Sequence, residues 1–228
     1  LLNVRKFTDK VADNTVLSVN PQKYEAGKYV TILDSAAVCD MVDRLIGYMD
    51  KRSADEGRSF FSDKDKGNKI GEKISDIKVN IISNPQLSEA PTTPFTYEGI
   101  PMFRTEWITD GVLKNLYSTR YWAEKTNTEF VSYPNNIYMS GTDKSVEDLI
   151  ASTEHGIFVN RFWYIRDVDQ SQLLMTGLTR DGVFLIENGK IKHAINNFRF
   201  NESPVNILSN ITDMSFSEKV VGSETGDT

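Results

Sequence analysis

The spacing of apolar residues predicts one amphipathic helix in the first quarter of the chain. Between positions 37 and 49 these residues recur every three or four places, which aligns them on one face of a helix. A short strand-like run, residues 29–33, comes directly before it, and either Asp34 or Ser35 offers an N-cap. We therefore expect a strand followed at once by a helix that ends near Met49.

Most other apolar segments have the length and composition of short strands. The clearest signal is a hairpin in which residues 183–187 and 190–194 flank an Asn188-Gly189 turn. Further predicted elements are a hairpin of residues 102–108 and 112–117 around Asp110-Gly111, strands at 77–82, 157–168 and 173–178, a helical turn at 119–125, a helix from Ser145 to about His155, and a short helix at 205–211. The pattern predicts an α+β, strand-rich domain with mostly antiparallel sheets and a few short helices.

Three polar segments are predicted to lie outside these elements. Residues 50–73 are rich in charged residues, Ser and Gly, and predict a mobile, solvated loop held in place by Phe60 and Phe61. Residues 84–101 contain four prolines, which leave little room for regular structure. The last residues, 222–228, have no apolar face and predict a frayed end.

Composition narrows the class of protein. A chain of 228 residues with 39% apolar and 25% charged residues is long enough to bury a sizeable core. The net charge of −6, with basic residues scattered along the sequence, disfavours nucleic-acid binding. No apolar run approaches the roughly 20 residues of a membrane helix, so no membrane association is predicted. The single cysteine excludes an intrachain disulfide and favours a reducing, cytoplasmic location.

The residues that could carry chemistry are few. Neither His155 nor His193 has a His, Glu or Cys partner three to five positions later, so neither forms a local metal half-site. We expect His155 to meet the dipole at the end of a helix and His193 to occupy a surface or edge position. Cys39 lies on the predicted helix without a nearby base, and is expected to be a small apolar residue rather than a nucleophile.

The aromatic and glycine-rich segments also have structural explanations. The stretch 176–182 holds two glycines but lacks the Lys-Ser/Thr pattern of a phosphate-binding loop. Trp107, Trp122 and Trp163 are a possible stacking platform for single strands, yet the negative charge balance favours packing in the core. No catalytic residue is therefore predicted in this chain.

The strongest functional signal lies in the last third of the chain. Residues 176–191 are TGLTRDGVFLIENGKI and residues 196–200 are NNFRF. Shorter words follow the same order elsewhere: SFF at 59–61, EGIP at 98–101, SVEDLI at 145–150 and EHGIFV at 154–159. Together these words, spread over about residues 26–214, closely resemble the carboxy-terminal domain of the TldD/PmbA family. Its members are known as metallopeptidases and, historically, as modulators of DNA gyrase.

The resemblance also implies what this chain lacks. The TldD branch carries a His-Glu-x-x-x-His zinc motif on the helix that corresponds to residues 35–50, and a cysteine ligand late in the domain. Here Ser35, Ala36 and Asp40 occupy the motif positions, and no cysteine follows Cys39. The resemblance therefore implies the PmbA branch, also called TldE, with no metal ligand in this chain and zinc only in a TldD-like partner.

The family also suggests a domain organisation. Its carboxy-terminal domain follows an amino-terminal domain of comparable size, and this sequence does not begin with Met. We expect residues 1–25 to be the end of such a domain or a linker, and residues 26–228 to form the carboxy-terminal domain.

Three functions remain open from the sequence. The leading hypothesis is a non-zinc subunit that pairs with a TldD-like chain or with itself and presents unfolded peptides, with Arg104 and Arg180 at strand ends as candidates for meeting a peptide carboxylate. The second is a metallopeptidase whose ligands lie outside this chain. The third is a regulatory protein that binds a topoisomerase.

Overall fold

The structure is a computed structural model that describes residues 4–220. Its helices are α1 (Val4–Leu17), α2 (Ser35–Gly47), α3 (Lys51–Asp55), α4 (Arg120–Thr126), α5 (Val146–Ala151) and α6 (Pro204–Ser209). Its strands are β1 (Thr31–Leu33), β2 (Ser62–Asp63), β3 (Gly67–Asn68), β4 (Ile81–Ser83), β5 (Thr105–Thr109), β6 (Val112–Leu113), β7 (Tyr138–Met139), β8 (His155–Asp169), β9 (Leu174–Glu187), β10 (Lys190–Ala194) and β11 (Arg199–Glu202). The α+β class with antiparallel sheets is confirmed.

The main sheet is built around one long hairpin, β8 and β9. The sheet has the order β1-β8-β9-β10, and β11 pairs with the first half of β9. All of these pairings are antiparallel except that of β1 with β8, where Thr31 lies opposite Ile157. The predicted strands at 173–178 and 183–187 are therefore wrong as separate elements, because β9 continues through both and is only bent by shifts of register near Arg180.

Helix α2 covers one face of this sheet and forms the centre of the main core. Its apolar stripe, with Leu45 and Ile46 fully buried, belongs to the same cluster as Ile157, Val159 and Leu185 of the hairpin. The predicted cap is confirmed, since the Asp34 carboxylate accepts a hydrogen bond of 3.0 Å from the Ser35 amide. The helix ends at Gly47, two residues earlier than predicted.

Helix α5 covers one end of the opposite face. Phe158, Phe184 and Ile186 are buried there, and Leu149 and Ile150 of α5 pack against them. Because successive residues of a strand point to opposite faces, the run 156–159 must be apolar throughout to be buried under both helices. Beyond Asn160 this opposite face becomes exposed.

A second, four-stranded sheet has the order β6-β5-β4-β7. The predicted Asp110-Gly111 hairpin is confirmed as the turn between β5 and β6. Gly111 has φ +76° and lies against the chain before β4, so an added Cβ would be 2.3 Å from the Ser75 carbonyl oxygen. This position therefore requires glycine for both conformation and space.

Two segments are more ordered than the sequence predicted. Residues 50–73 contain α3 and the β2–β3 hairpin, so the prediction of a mobile loop is wrong. The Asp55 carboxylate connects α3 to β3 by accepting hydrogen bonds from Lys51 (2.6 Å) and Asn68 (2.6 Å). It also accepts one from the indole of Trp122 on α4 (2.8 Å), which attaches the segment to the rest of the domain. Near the start, α1 lies in a region to which the sequence assigned no element. The predicted frayed end at 222–228 lies outside the described residues.

Within residues 4–220, none of the helices combines the length and the apolar composition that crossing a membrane requires.

The packing of α2 gives a direct prediction for stability. Replacing the fully buried Leu45 by alanine leaves a cavity under the sheet, and we expect it to lower the free energy of unfolding by about 2–5 kcal/mol. The matched control is Leu17→Ala on α1, where the side chain is 40% exposed and the expected change is below about 0.5 kcal/mol. Urea unfolding followed by circular dichroism measures both, and equal losses would contradict this assignment of the core.

Candidate functional site

The start of α2 does not offer a set of zinc ligands. The Ser35 hydroxyl donates to Glu218 at 3.1 Å, and Ala36 has no ligating atom. Asp40 is buried, with 2% of its surface exposed, and is therefore part of the helix packing. Zinc sites need three or four Cys, His or carboxylate ligands around one point, and one hydroxyl with one buried carboxylate does not fit that chemistry.

Both histidines lie on strands of the main sheet that pair with β9, His155 opposite Glu187 and His193 opposite Leu185. His155 opens β8, because α5 ends at Ala151; the predicted contact of His155 with a helix end is therefore wrong. Its Nε2 lies 3.1 Å from the Tyr24 hydroxyl. His193 is half-buried on the edge strand β10, as expected, with Nδ1 3.0 Å from the Ala194 carbonyl oxygen.

The Glu187 carboxylate is influenced by both histidines. Its pKa is lowered, chiefly by a hydrogen bond from Lys192 and also by the charges of His155 and His193. Even so, no three His, Cys, Asp or Glu side chains come together as a possible metal site anywhere in residues 4–220.

Cys39 lies half-buried on α2, as predicted. Burial raises the pKa of its thiol to about 11, and the Asp40 and Asp43 carboxylates add to the rise. Since the thiolate is the nucleophilic form, the side chain is a poor nucleophile near neutral pH.

The two arginines predicted to meet a peptide carboxylate belong to different parts of the fold. Arg104 precedes β5, where its Nη1 is 2.7 Å from the Glu106 carboxylate. Arg180 lies on β9 with its guanidinium 4.1 Å from the centre of the Trp163 ring. The structure does not combine them in one contact.

Arg180 instead belongs to a group that we call the arginine face. On the exposed side of the main sheet, Arg161 of β8 lies opposite Arg180 of β9. Two residues along β8, Trp163 lies opposite Leu178 of β9. Leu178 has Arg199 of β11 on its other side. Arg166 follows on β8, opposite Thr176 and on the same side. The arginine face consists of Arg161, Trp163, Arg166, Arg180 and Arg199.

These residues correct two expectations. Trp107 and Trp122 are buried as predicted, but Trp163 is 37% exposed and is not a core residue. The basic residues, scattered in the sequence, are partly gathered by the fold, because three of the arginines come from β8 and β9 and one from β11. The register of the three strands brings these arginines together, and no local sequence motif indicates that they are neighbours.

Two surface clefts are present away from this face. One, of about 620 Å³, lies between residues 99–101 and α4. The other, of about 350 Å³, is lined by Tyr48, Asp50, Arg58, Tyr117 and Gln170, among others. Burial and a hydrogen bond to Asp167 raise the Tyr48 pKa to about 12, which keeps this phenol neutral. Neither cleft contains a histidine or the cysteine.

These features define a strand-rich α+β domain in which helix α2 packs against one face of the main sheet. The match to the family model described as "PmbA/TldA metallopeptidase C-terminal domain" spans residues 26–226. The chain belongs to this family.

Comparisons with individual proteins agree with this family assignment. The chain is 24% identical over 219 residues to "Metalloprotease PmbA" of Escherichia coli O157:H7, covering 93% of this chain and 45% of that protein. Its fold is similar to the crystal structure of TldE from Thermococcus kodakarensis (TM-score 0.81, 18% identity, 96% of this chain and 52% of that one). It is also similar to a proposed modulator of a DNA gyrase from Thermotoga maritima (TM-score 0.83, 20% identity, 97% and 52%). The chain thus spans about half the length of these relatives.

The raised pKa of Cys39 predicts slow alkylation. At pH 8 we expect iodoacetamide to modify the folded protein on the order of a hundredfold more slowly than the same protein in urea, where the thiol regains an ordinary pKa near 8.5. The folded-state rate should keep rising with pH beyond 10, because the thiolate fraction is still growing there. Mass spectrometry of quenched samples measures the rates. Equal rates in the folded and unfolded states would contradict the assignment.

Proposed function

We propose that this chain is a PmbA/TldE-like subunit without zinc, part of a TldD/PmbA-type peptidase assembly that acts on unfolded or precursor peptides in the cytoplasm. The observation that carries the proposal is α2. In the zinc-binding branch this helix supplies the ligands, whereas here Ser35, Ala36 and Asp40 occupy those positions and do not fit zinc.

The chain has no other groups arranged for hydrolysis within the part that the structure describes. Its two histidines and Glu187 do not form a metal-holding cluster, and its only thiol is held in the protonated form. The zinc that activates water would therefore be supplied by a TldD-like partner. We propose that partner, or a second copy of this chain, as the other half of the assembly.

The contribution of this chain would be to bind and orient the substrate. An extended peptide can add to the edge of a sheet through main-chain hydrogen bonds, which gives affinity largely independent of sequence. The main sheet has such an edge, because β1 covers β8 only from Ile157 to Val159. Arg180 lies near this edge, while Arg104 is already paired with Glu106 and is the weaker candidate.

Zinc stoichiometry tests this proposal. We would purify the full-length protein without chelator and measure zinc by elemental analysis, alone and after mixing with a TldD-like chain from the same cell. We expect close to zero zinc in the protein alone and about one zinc per pair after mixing. Peptidase activity on an unfolded substrate should appear only in the mixture.

A TldD-like chain with its motif histidines changed to alanine is the matched control, and the mixture with it should bind no zinc and cleave nothing. Stoichiometric zinc and peptidase activity in the lone protein would overturn the proposal and make this chain's own protein the enzyme.

A further inference from the structure

The arginine face concentrates positive charge on a protein that is acidic overall. It carries four arginines, and Asp181 pairs with two of them, at 3.1 Å from Arg161 Nε and 3.7 Å from Arg180 Nε. The whole chain has a net charge of −6. A local excess of positive charge on such a background attracts anionic partners to this place and not to the rest of the surface.

Two of these arginines lie over the faces of aromatic rings. The Arg180 guanidinium lies 4.1 Å from the centre of the Trp163 ring, and that of Arg166 lies 4.0 Å from the centre of the Tyr164 ring. A guanidinium over a ring is attracted to the ring face, and its N–H groups can still donate hydrogen bonds to other acceptors. One Arg166 donor reaches the Ile165 carbonyl oxygen at 2.9 Å. The stacked side chains are thus ordered before a ligand binds, which reduces the entropy lost on binding.

The backbone helps to present this cluster. Tyr164 has φ +56°, a conformation that bulky residues rarely adopt, and the register between β8 and β9 shifts between Trp163 and Arg166. This bulge turns both aromatic residues outward, where Tyr164 is 53% exposed. Backbone outliers of this kind occur often at binding sites.

The geometry favours carboxylates over bases as ligands. Each ring already has a guanidinium on one face, so the cluster is not an open platform for stacking nucleobases. In-plane guanidinium donors match the two oxygens of a carboxylate. Within residues 4–220 no strand pairs with this side of β8 beyond Val159, and an unpaired strand edge is where an extended segment can add.

We propose that the arginine face binds an acidic polypeptide segment in extended conformation, with carboxylates on Arg166, Arg180 and Arg199. The proposal deepens the proposed function and rests on it, since it names the kind of segment that this subunit would hold. The binding itself needs no zinc and no partner, so it can be measured on the protein alone.

The test uses fluorescence anisotropy of a labelled eight-residue peptide of alternating Glu and Ser, with the full-length protein without its partner. We expect the double variant Arg166→Gln/Arg180→Gln to weaken binding at least tenfold, because two charge-assisted contacts are lost. A peptide with Gln in place of Glu should bind at least tenfold more weakly to the unchanged protein, and added salt should weaken binding of the Glu peptide.

Arg52→Gln is the matched control. Arg52 is also an exposed arginine stacked on a tryptophan, Trp122, and paired with a carboxylate, Glu56, but it lies on α3. Its replacement should leave binding within twofold. Arg180→Lys, which keeps the charge but not the planar fork, should recover only part of the affinity.

Three results would overturn the proposal: no binding of the Glu peptide at about 1 mM protein, equal affinity for the Glu and Gln peptides, or tighter binding of a single-stranded oligonucleotide of equal length. The first two would leave the zinc stoichiometry of the mixed assembly untouched, and that measurement tests the proposed function separately. The third would identify the face as a nucleic-acid site.

Discussion

The pairing of β8 with β9 is the constraint on which the rest of the molecule depends. Every other strand of the main sheet attaches to one of these two, and both helices that cover the sheet pack on side chains that the hairpin orients. Because side chains alternate between faces, a slip of one residue would place the residues under α2 on the side of α5. The three shifts of register along the hairpin therefore decide which residues are buried and which form the arginine face.

Helix α2 is accounted for by packing and capping alone. The residues that pack it, such as Met41, Leu45 and Ile46, lie on the side that faces the sheet. Ser35 and Ala36 lie in the first turn of the helix, and Asp40 is itself buried among the packing residues. Membership of a metallopeptidase family therefore does not by itself assign hydrolysis to the chain.

Local sequence signals predicted the parts of the structure that local physics controls. The cap at Asp34, the stripe of α2 and the turn at Asn188-Gly189 all follow from a few adjacent residues. The β2–β3 hairpin was missed because its order comes from Asp55, which binds Asn68 and Trp122 across the chain. The arginine face was missed for the same reason: its residues become neighbours only when β8, β9 and β11 pair in register.

The parallel pairing of β1 with β8 has a consequence for how the chain is made. Helix α2 follows β1 closely, but its apolar stripe is covered only when β8 is present, and Thr31 is separated from its partner Ile157 by more than half the sequence. At ribosomal rates of roughly 5–20 residues per second, the nascent helix waits on the order of ten seconds for that strand. During this interval the apolar face of α2 lacks the strand that covers it, and the main sheet can close only after β8 has been made.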